Sequence, residues 1–321
     1  MLEKVAPKVI AGPPRDVVGY EGNPPKVTWP NGAKIAISLV VNYEEGSERS
    51  IGDGDDTREP GGPASFPLTY RDLGVETNFE YGSRAGYWRL LDVFDELDVK
   101  CTFYACAVAL ERNRAAAREM RKRGHDVMSH GWRWEDVSLL TKEEERDHIK
   151  RAIESIAETT GERPLGWYCR YGPSVHTREL VVEEGGFVYD SDAYNDDLPY
   201  WTMVGSKKHL VVPYSLANND GKFNSGAFGS PVHFENHLKA NFDWLYKEGQ
   251  THPKMMSIGL HMRLTGHPGR AQALYKFIEY AKSHPGVWFA RRIDIANHWI
   301  KNHQDTLLPK ATYPRLVPEA V

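Results

Sequence analysis

The strongest constraint on the fold is an alternation of apolar strands and amphipathic helices between residues 34 and 302. The first strand is the nearly continuous apolar run Lys34–Val41, which is typical of a strand covered on both faces. A helix follows in which apolar side chains recur three and four residues apart, at Tyr87, Leu90, Leu91, Phe94 and Leu97. Alternation of this kind predicts an α/β fold with a parallel sheet, most economically a β/α barrel.

Further elements continue this alternation. Strands are predicted at Cys101–Ala107, Asp126–Ser129 and Met255–Leu260. Helices are predicted at Ala109–Arg123, after the capping box formed by Thr141 and Glu144, from Ser230-Pro231, and near residues 269–282 and 291–302.

The two ends of the chain lack this pattern. Residues 1–30 are rich in proline and glycine and predict an irregular arm, residues 31–303 a single catalytic barrel, and residues 304–321 a tail. Residues 49–70 form a second irregular stretch. A loop of that length is usually functional or a subunit contact.

Composition excludes several classes of protein. Lysine and arginine total 40 and aspartate and glutamate 44, without the basic patch of a nucleic-acid-binding protein. The N-terminus lacks the apolar run of a signal peptide, and no segment approaches the about 20 apolar residues of a membrane helix. The three cysteines form no CxxC pair, which favours a reducing compartment. We therefore expect a cytoplasmic protein with no nucleic-acid or membrane partner.

An acidic pair follows the first predicted strand. Glu44 and Glu45 share one pocket only where the strand breaks, and Gly46 permits that break. Two neighbouring carboxylates repel each other, which raises one pKa and makes a better general base. A bare Glu-Glu pair is also typical of a solvated acidic loop.

Two histidines come directly after predicted strands. His130 follows Asp126–Ser129 and is a candidate ligand, base or hydrogen-bonded core residue. His261 follows Met255–Leu260 and suits a general acid, because the pKa of histidine lies near working pH.

Two more polar groups follow later strands. Arg170 opens the turn Arg170–Pro173, and its guanidinium is a candidate partner for a pocket carboxylate. The backbone N–H groups of the turn are candidates to bind an oxyanion. An ordinary turn has the same composition. Asp190 is a candidate to orient Arg170 or His261, or to cap the next turn.

The order of these groups resembles the five motifs of the NodB-homology polysaccharide deacetylases, over residues 35–300. The resemblance implies a distorted, seven-stranded β/α barrel. It places Glu44 and Glu45 on the family's base and metal-binding aspartates, and His130 on the first of its two metal-binding histidines. The later motifs match the turn Arg170–Pro173, the run Asp190-Ser191-Asp192 and the pair Leu260-His261.

Two departures from these motifs concern the metal. Trp134 stands where the family has its second metal-binding histidine, and both aspartates are glutamates. A catalytic zinc site needs about three protein ligands and an open position. We expect no required cofactor; if a zinc ion binds, it binds weakly through Glu45 and His130. These departures, and the segments 161–168, 183–201 and 257–263, resemble the allantoinase branch, which works without a bound metal.

The resemblance implies hydrolysis of a cyclic amide, allantoin to allantoate, by a homo-oligomer, expected to be a tetramer, acting on a small ureide or hydantoin. Glu44 or Glu45 is then the base and His261 or His130 the acid. The turn carrying Arg170, with Tyr171 and Gly172, would hold the carboxylates and the oxyanion. The candidates to sandwich the flat ring are Tyr43, Trp134 and Trp201, although tryptophans are as typical of core packing.

Three other functions are consistent with these residues. A polysaccharide or chitin N-deacetylase shares the motifs, but Trp134 removes one metal ligand. A hydrolase of simpler cyclic imides would use the same groups. A catalytically inactive relative would keep the pocket to bind a sugar or metabolite, although His130, Arg170 and His261 are retained.

Overall fold

The computed structural model describes residues 12–13, 15–62 and 66–304. Its strands are β1 (Ile35–Tyr43), β2 (Thr102–Ala105), β3 (Asp126–Ser129), β4 (Gly166–Trp167), β5 (Tyr189–Asp190), β6 (Tyr200–Val204), β7 (Lys207–Val211), β8 (Lys254–His261) and β9 (Val287–Phe289). Its α-helices are α1 (Leu73–Tyr81), α2 (Tyr87–Glu96), α3 (Ala107–Arg112), α4 (Arg114–Lys122), α5 (Lys142–Thr160), α6 (Thr177–Glu184), α7 (Pro231–Glu248), α8 (Pro268–Lys282) and α9 (Arg292–Asn302). A π-helical turn, Gly82–Gly86, joins α1 to α2.

These strands form one curled sheet in the order β6-β7-β5-β4-β3-β2-β1-β8, with β9 paired to the start of β1. All pairs are parallel except β6–β7. Within the described residues β6 and β8 are not paired, so the barrel is open. The predicted distorted α/β barrel is confirmed. The predicted number of seven strands is wrong: the described residues form nine. The hairpin β6–β7 is partly exposed and β9 has three residues, so neither carries a long apolar run.

Strand β1 has both faces buried, as its apolar run predicts. Ile37, Leu39 and Val41 pack outward with the surrounding helices, whereas Ala36 and Val40 pack inward, where α9 contributes Ile295 and Trp299 to the core inside the barrel. This alternation with a period of two continues past the end of the strand. It directs Asn42 and then Glu44 to the inner face.

Helix boundaries agree with the predicted capping signals in two places. The capping box at Thr141 begins α5, and Pro231 occupies the first position of α7. The single helix predicted over residues 109–123 is instead two helices. Asn113 leaves the helical conformation between α3 and α4, and its side chain accepts the backbone N–H of Ala116.

Residues 305–321 of the predicted tail lie outside the described part of the chain. The same is true of residues 1–11 and 14 of the predicted arm. The domain limits therefore stay a prediction. In the part of the chain that the structure describes, no helix has the length and apolarity to cross a bilayer.

Candidate active site

A cavity of about 850 Å³ opens at the C-terminal ends of the strands. The predicted site residues that line it are Glu44, His130, Trp134, Arg170, Tyr171 and His261. Segments that follow β1, β3 and β4 supply all of them except His261, which is the last residue of β8, as expected for chemistry placed where parallel strands end.

Glu44 lies at the centre of the polar residues in this cavity. Its Oε1 atom lies 3.3 Å from Nε2 of His130 and 3.5 Å from Nε2 of His261. Its Oε2 atom lies 2.8 Å from Nη1 of Arg263. The side chain is only 2% exposed, so all three contacts are shielded from bulk water.

Glu45 points away from the cavity, because it follows the outward phase of the strand alternation. Its carboxylate accepts the backbone N–H groups of Glu44 and Arg263, both at 3.2 Å, and lies 3.3 Å from Nη1 of Arg263. A Cβ atom at Gly82 would come within 2.4 Å of Oε1 of Glu45. The π-helical turn that contains Gly82 therefore has room for this carboxylate only because it carries no side chain there.

His261 is held by Asp220, which lies in a short 3₁₀-helix at residues 220–223. The Nδ1 atom of His261 lies 2.6 Å from Oδ1 of Asp220, and Oδ2 accepts the backbone N–H of His261 at 2.8 Å. Asp220 also accepts both the hydroxyl and the backbone N–H of Thr265. Four contacts to one fully buried carboxylate determine where the imidazole points.

His130 has an acceptor beside each ring nitrogen. Nδ1 lies 3.2 Å from the carbonyl oxygen of Tyr168, and Nε2 faces Glu44. A neutral imidazole in this place donates to one of these two groups, and an imidazolium donates to both. The rings of Tyr104 and Tyr168 pack against His130, with centroids 6.1 and 5.1 Å away.

The charges around Glu44 determine its protonation state. Burial disfavours the charged carboxylate, but the positive charges of His261 and Arg263 outweigh burial and hold the pKa of Glu44 well below its ordinary value. Burial raises the pKa of Glu45; Arg263 opposes this shift and the charge on Glu44 adds to it. At neutral pH Glu44 is therefore a carboxylate, ready to accept a proton.

His261 has the opposite protonation preference. Burial works against its positive charge, but the carboxylates of Glu44 and Asp220 raise the pKa of His261 to about 10. The imidazole is thus protonated at neutral pH, and its Nε2–H group faces the cavity beside Glu44. A carboxylate and an imidazolium side by side form an acid–base pair.

Arg170 does not contact Glu44 or Glu45, in contrast to the expectation that it holds the carboxylates. Its guanidinium forms two bonds of 2.6 Å to Glu59 and donates to the carbonyl oxygen of Trp134 at 2.7 Å. Glu59 lies in the irregular stretch predicted at residues 49–70. Because the Arg170–Glu59 pair is buried, it ties that loop to the turn after β4.

Trp134 lines the cavity beside two arginines. The guanidinium carbon of Arg170 lies 3.6 Å, and that of Arg263 5.1 Å, from the centre of its ring. Tyr171 also lines the cavity and is 68% exposed, with a left-handed φ of 57°. Gly172 has φ of 128°, which the turn requires, but it does not line the cavity.

Besides Glu45 and Gly172, three more of the predicted site residues do not line the cavity. Asp190 points outward, where it accepts from Arg178 at 2.7 Å and lies 3.0 Å from Nε2 of His209; it orients neither Arg170 nor His261. Tyr43 also takes the outward phase of its strand and packs edge-on against Tyr87. Trp201 donates its indole N–H to the carbonyl oxygen of His303 and does not line the cavity.

Sequence reasoning missed Asp220, Arg263 and Glu59. Arg263 lies two residues after His261, and its position just past a strand end is a signal of the kind used for the histidines. Asp220 and Glu59 carried no such signal. They lie in irregular segments, 41 residues before His261 and 111 residues before Arg170.

The donor set does not fit a zinc ion. Glu45 is directed to Arg263 and to the backbone of Glu44, whereas His130 is directed to Glu44 and Tyr168. Within the described residues no group of three or more His, Cys, Asp and Glu side chains is placed to hold a metal ion. An arginine stands beside both carboxylates instead.

Comparison with known proteins now identifies the class. The family model described as Polysaccharide deacetylase matches residues 71–189. A Schizosaccharomyces pombe protein named "Putative polysaccharide deacetylase" is 40% identical, and the match covers 90% of this chain and 98% of that protein. The chain belongs to the polysaccharide deacetylase family.

Two solved structures are similar over nearly their whole length. The crystal structure of "Puue Allantoinase" has a TM-score of 0.87 and 49% identity, covering 90% of this chain and 98% of its own. A Pseudomonas aeruginosa protein named "probable Polysaccharide deacetylase" has a TM-score of 0.86 and 49% identity, covering 90% and 99%.

Proposed function

We propose that this protein is an allantoinase, which hydrolyses the hydantoin ring of allantoin to give allantoate. The single observation that carries the proposal is the set of groups around Glu44: a buried carboxylate faces an imidazolium and an arginine, and the residues that the structure describes form no zinc ligand set there. The 49% identity to an allantoinase structure supports the same substrate. Hydrolysis of a carbon–nitrogen bond is the reaction common to the family and to this neighbour.

Glu44 is the base in this mechanism. It accepts a proton from a water molecule as the water oxygen bonds to the ring carbonyl carbon. Negative charge then develops on the carbonyl oxygen. Arg263 and protonated His261 stabilise that charge in a site shielded from water. With no metal ion in the mechanism to lower the pKa of water, this base carries more of the activation.

His261 is the acid. The tetrahedral intermediate collapses by breaking the carbon–nitrogen bond, and Nε2–H of His261 protonates the departing nitrogen. The new carboxylic acid then ionises, and His261 recovers a proton from Glu44 or solvent. Asp220 keeps the imidazole oriented for both proton transfers.

The main competing function is N-deacetylation of an aminosugar polymer. It is supported by the family, and by the names of the S. pombe and P. aeruginosa relatives. The arrangement of Glu45, Trp134 and Arg263 favours the cyclic amide, because this arrangement leaves no metal to activate water at an acetamide.

The decisive assay is turnover of allantoin by the purified protein with and without EDTA, with metal content measured on the same sample. We expect turnover that survives chelation and that falls by about 10²–10⁴-fold in Glu44→Gln. Zinc-dependent release of acetate from chitin oligomers, with no turnover of allantoin, would establish the deacetylase. Binding of allantoin with no turnover of any amide would establish an inactive relative.

We extend the proposal to the state of the protein in the cell. A small ureide as substrate and a homotetramer follow from the likeness to the allantoinase branch. A cytoplasmic location follows from the three cysteines without a CxxC pair, which favour a reducing compartment. Light scattering on the purified protein measures the number of subunits, and fractionation of the native host measures the location.

A further inference from the structure

Two adjacent buried glutamates are an unusual combination. Burial disfavours the ionised form of each carboxylate, and the two negative charges repel each other. Glu44 and Glu45 are 2% and 3% exposed. Among the described residues, the guanidinium that contacts both carboxylates belongs to Arg263, which is itself 6% exposed. Its Nη1 atom lies 2.8 Å from Glu44 and 3.3 Å from Glu45, and so between the two.

The position of Arg263 is set at both ends of the residue. At the backbone, its N–H donates to Glu45. At the tip, the guanidinium carbon lies 4.5 Å from the ring centre of Phe79 and 5.1 Å from that of Trp134, in cation–π contact with both. These contacts hold the guanidinium beside the two carboxylates, in the space that another cation would need.

We propose that Arg263 is the resident cation of this site, and that it takes the place between the two glutamates which a divalent ion would occupy, thereby excluding such an ion. The role assigned to Arg263 in the reaction rests on Glu44 being the base. The exclusion of metal does not rest on the proposed function.

Arginine suits this role because its charge does not depend on pH. Burial opposes the charge, but Glu44 and Glu45 outweigh burial and raise the pKa of Arg263 further above its ordinary value. A second cation beside the guanidinium would be repelled by it. Trp134 adds to the exclusion, because an indole offers a hydrogen-bond donor and no lone pair for a metal.

The first test compares zinc binding by the wild type, Trp134→His, and the double variant Trp134→His/Arg263→Ala. Equilibrium dialysis against zinc alone should leave the first two proteins without a specifically bound ion and the double variant with about one equivalent. Adding His130→Ala to the double variant should abolish that binding, which separates the site from surface histidines. One equivalent of zinc bound by the wild type through His130, or none bound by the folded double variant, would overturn the proposal.

Arg263→Lys supplies a variant that keeps the charge, in case the double variant does not fold. It should still exclude zinc in the Trp134→His background, whereas Arg263→Gln in that background should admit it. Equal zinc binding by the two would show that the charge is not what excludes the metal. Circular dichroism and thermal unfolding confirm that each variant is folded.

The second readout concerns the reaction and separates an electrostatic effect of Arg263 on Glu44 from a merely structural role. Loss of Arg263 removes a positive charge from Glu44 and therefore raises its pKa. The acid limb of the kcat profile should move to higher pH in Arg263→Gln and return toward the wild-type position in Arg263→Lys. An unmoved limb in an active Arg263→Gln enzyme would contradict this electrostatic effect on Glu44. If the protein turns over no allantoin, zinc binding alone decides the exclusion of metal.

Discussion

His261 and Asp220 are in close contact, with Nδ1 and Oδ1 2.6 Å apart. The same carboxylate accepts the backbone N–H of His261, so both the ring and its attachment point are fixed. The Nε2 atom consequently faces Glu44. A buried anion on one side of the imidazole and a second on the other keep the ring protonated.

Replacing Asp220 by asparagine should move the alkaline limit of activity. The pKa of His261 is raised to about 10, so the acid is present below that pH and activity falls as pH rises through it. Asp220→Asn removes one of the two carboxylates that raise this pKa, so the decline should begin at lower pH. The measurement is kcat for allantoin across neutral and alkaline pH, corrected for the uncatalysed reaction. Asp243→Asn, which removes a surface partner of Tyr280, should leave the profile unchanged. An alkaline limb at the same pH in Asp220→Asn would mean that His261 is not the acid.

The two glutamates should differ in their effect on rate. Glu44→Gln removes the base that lines the cavity and should lower kcat by about 10²–10⁴-fold. Glu45→Gln should lower it less, because Glu45 acts through Arg263 and does not line the cavity. Steady-state kinetics on both variants, with surface Glu111→Gln as the control, measure this difference. An equal or larger loss in Glu45→Gln would reverse the assignment of the base.

Adding one methyl group at Gly82 should disturb the site. The new Cβ would lie 2.4 Å from Glu45, which must shift and carry Arg263 with it. We expect Gly82→Ala to lose about 1–3 kcal/mol of unfolding free energy together with much of the activity. Gly269→Ala is the matched control, since its Cβ would meet Pro231 at an ordinary 3.5 Å. Denaturant titration and kcat are measured on both variants. A fully active Gly82→Ala enzyme would show that the position of Glu45 is not critical.

Breaking the Arg170–Glu59 pair should destabilise the protein. Both side chains are buried, and removal of one partner leaves an uncompensated charge, which costs about 3–5 kcal/mol. Glu59→Gln should therefore unfold at clearly lower denaturant concentration. Arg49→Gln removes a half-exposed partner of the same carboxylate and should cost about 0–1 kcal/mol. Similar losses in the two variants would show that burial does not govern the strength of this pair.

Local patterns were sufficient to predict the strands that carry the chemistry. The apolar runs before Glu44, His130 and His261 end where the structure ends β1, β3 and β8 to within two residues. These runs have both faces buried or nearly so, and their composition therefore reports their location directly. Their alternation with helices predicted the β/α barrel, and the likeness to a known family added that the barrel is distorted.

Partners distant along the chain could not be predicted in the same way. Asp190 is the last residue of β5, where it is level with Trp167 in the parallel register and so points outward to Arg178. Asp220, and not Asp190, is the carboxylate that orients His261. Which carboxylate reaches which base depends on the face of the sheet and on loop geometry, and neither is encoded by local periodicity.

The parallel register of β1 and β8, in which Asn42 is level with His261, has a consequence for how this enzyme can change in evolution. A single-residue insertion or deletion inside either strand would turn its inward residues outward, and would remove Glu44 or His261 from the cavity together with half of the core. Length changes are therefore expected in the connecting segments and excluded from these two strands. New substrates would be acquired through loops, while the distance between Glu44 and His261 is inherited with the ladder of backbone hydrogen bonds.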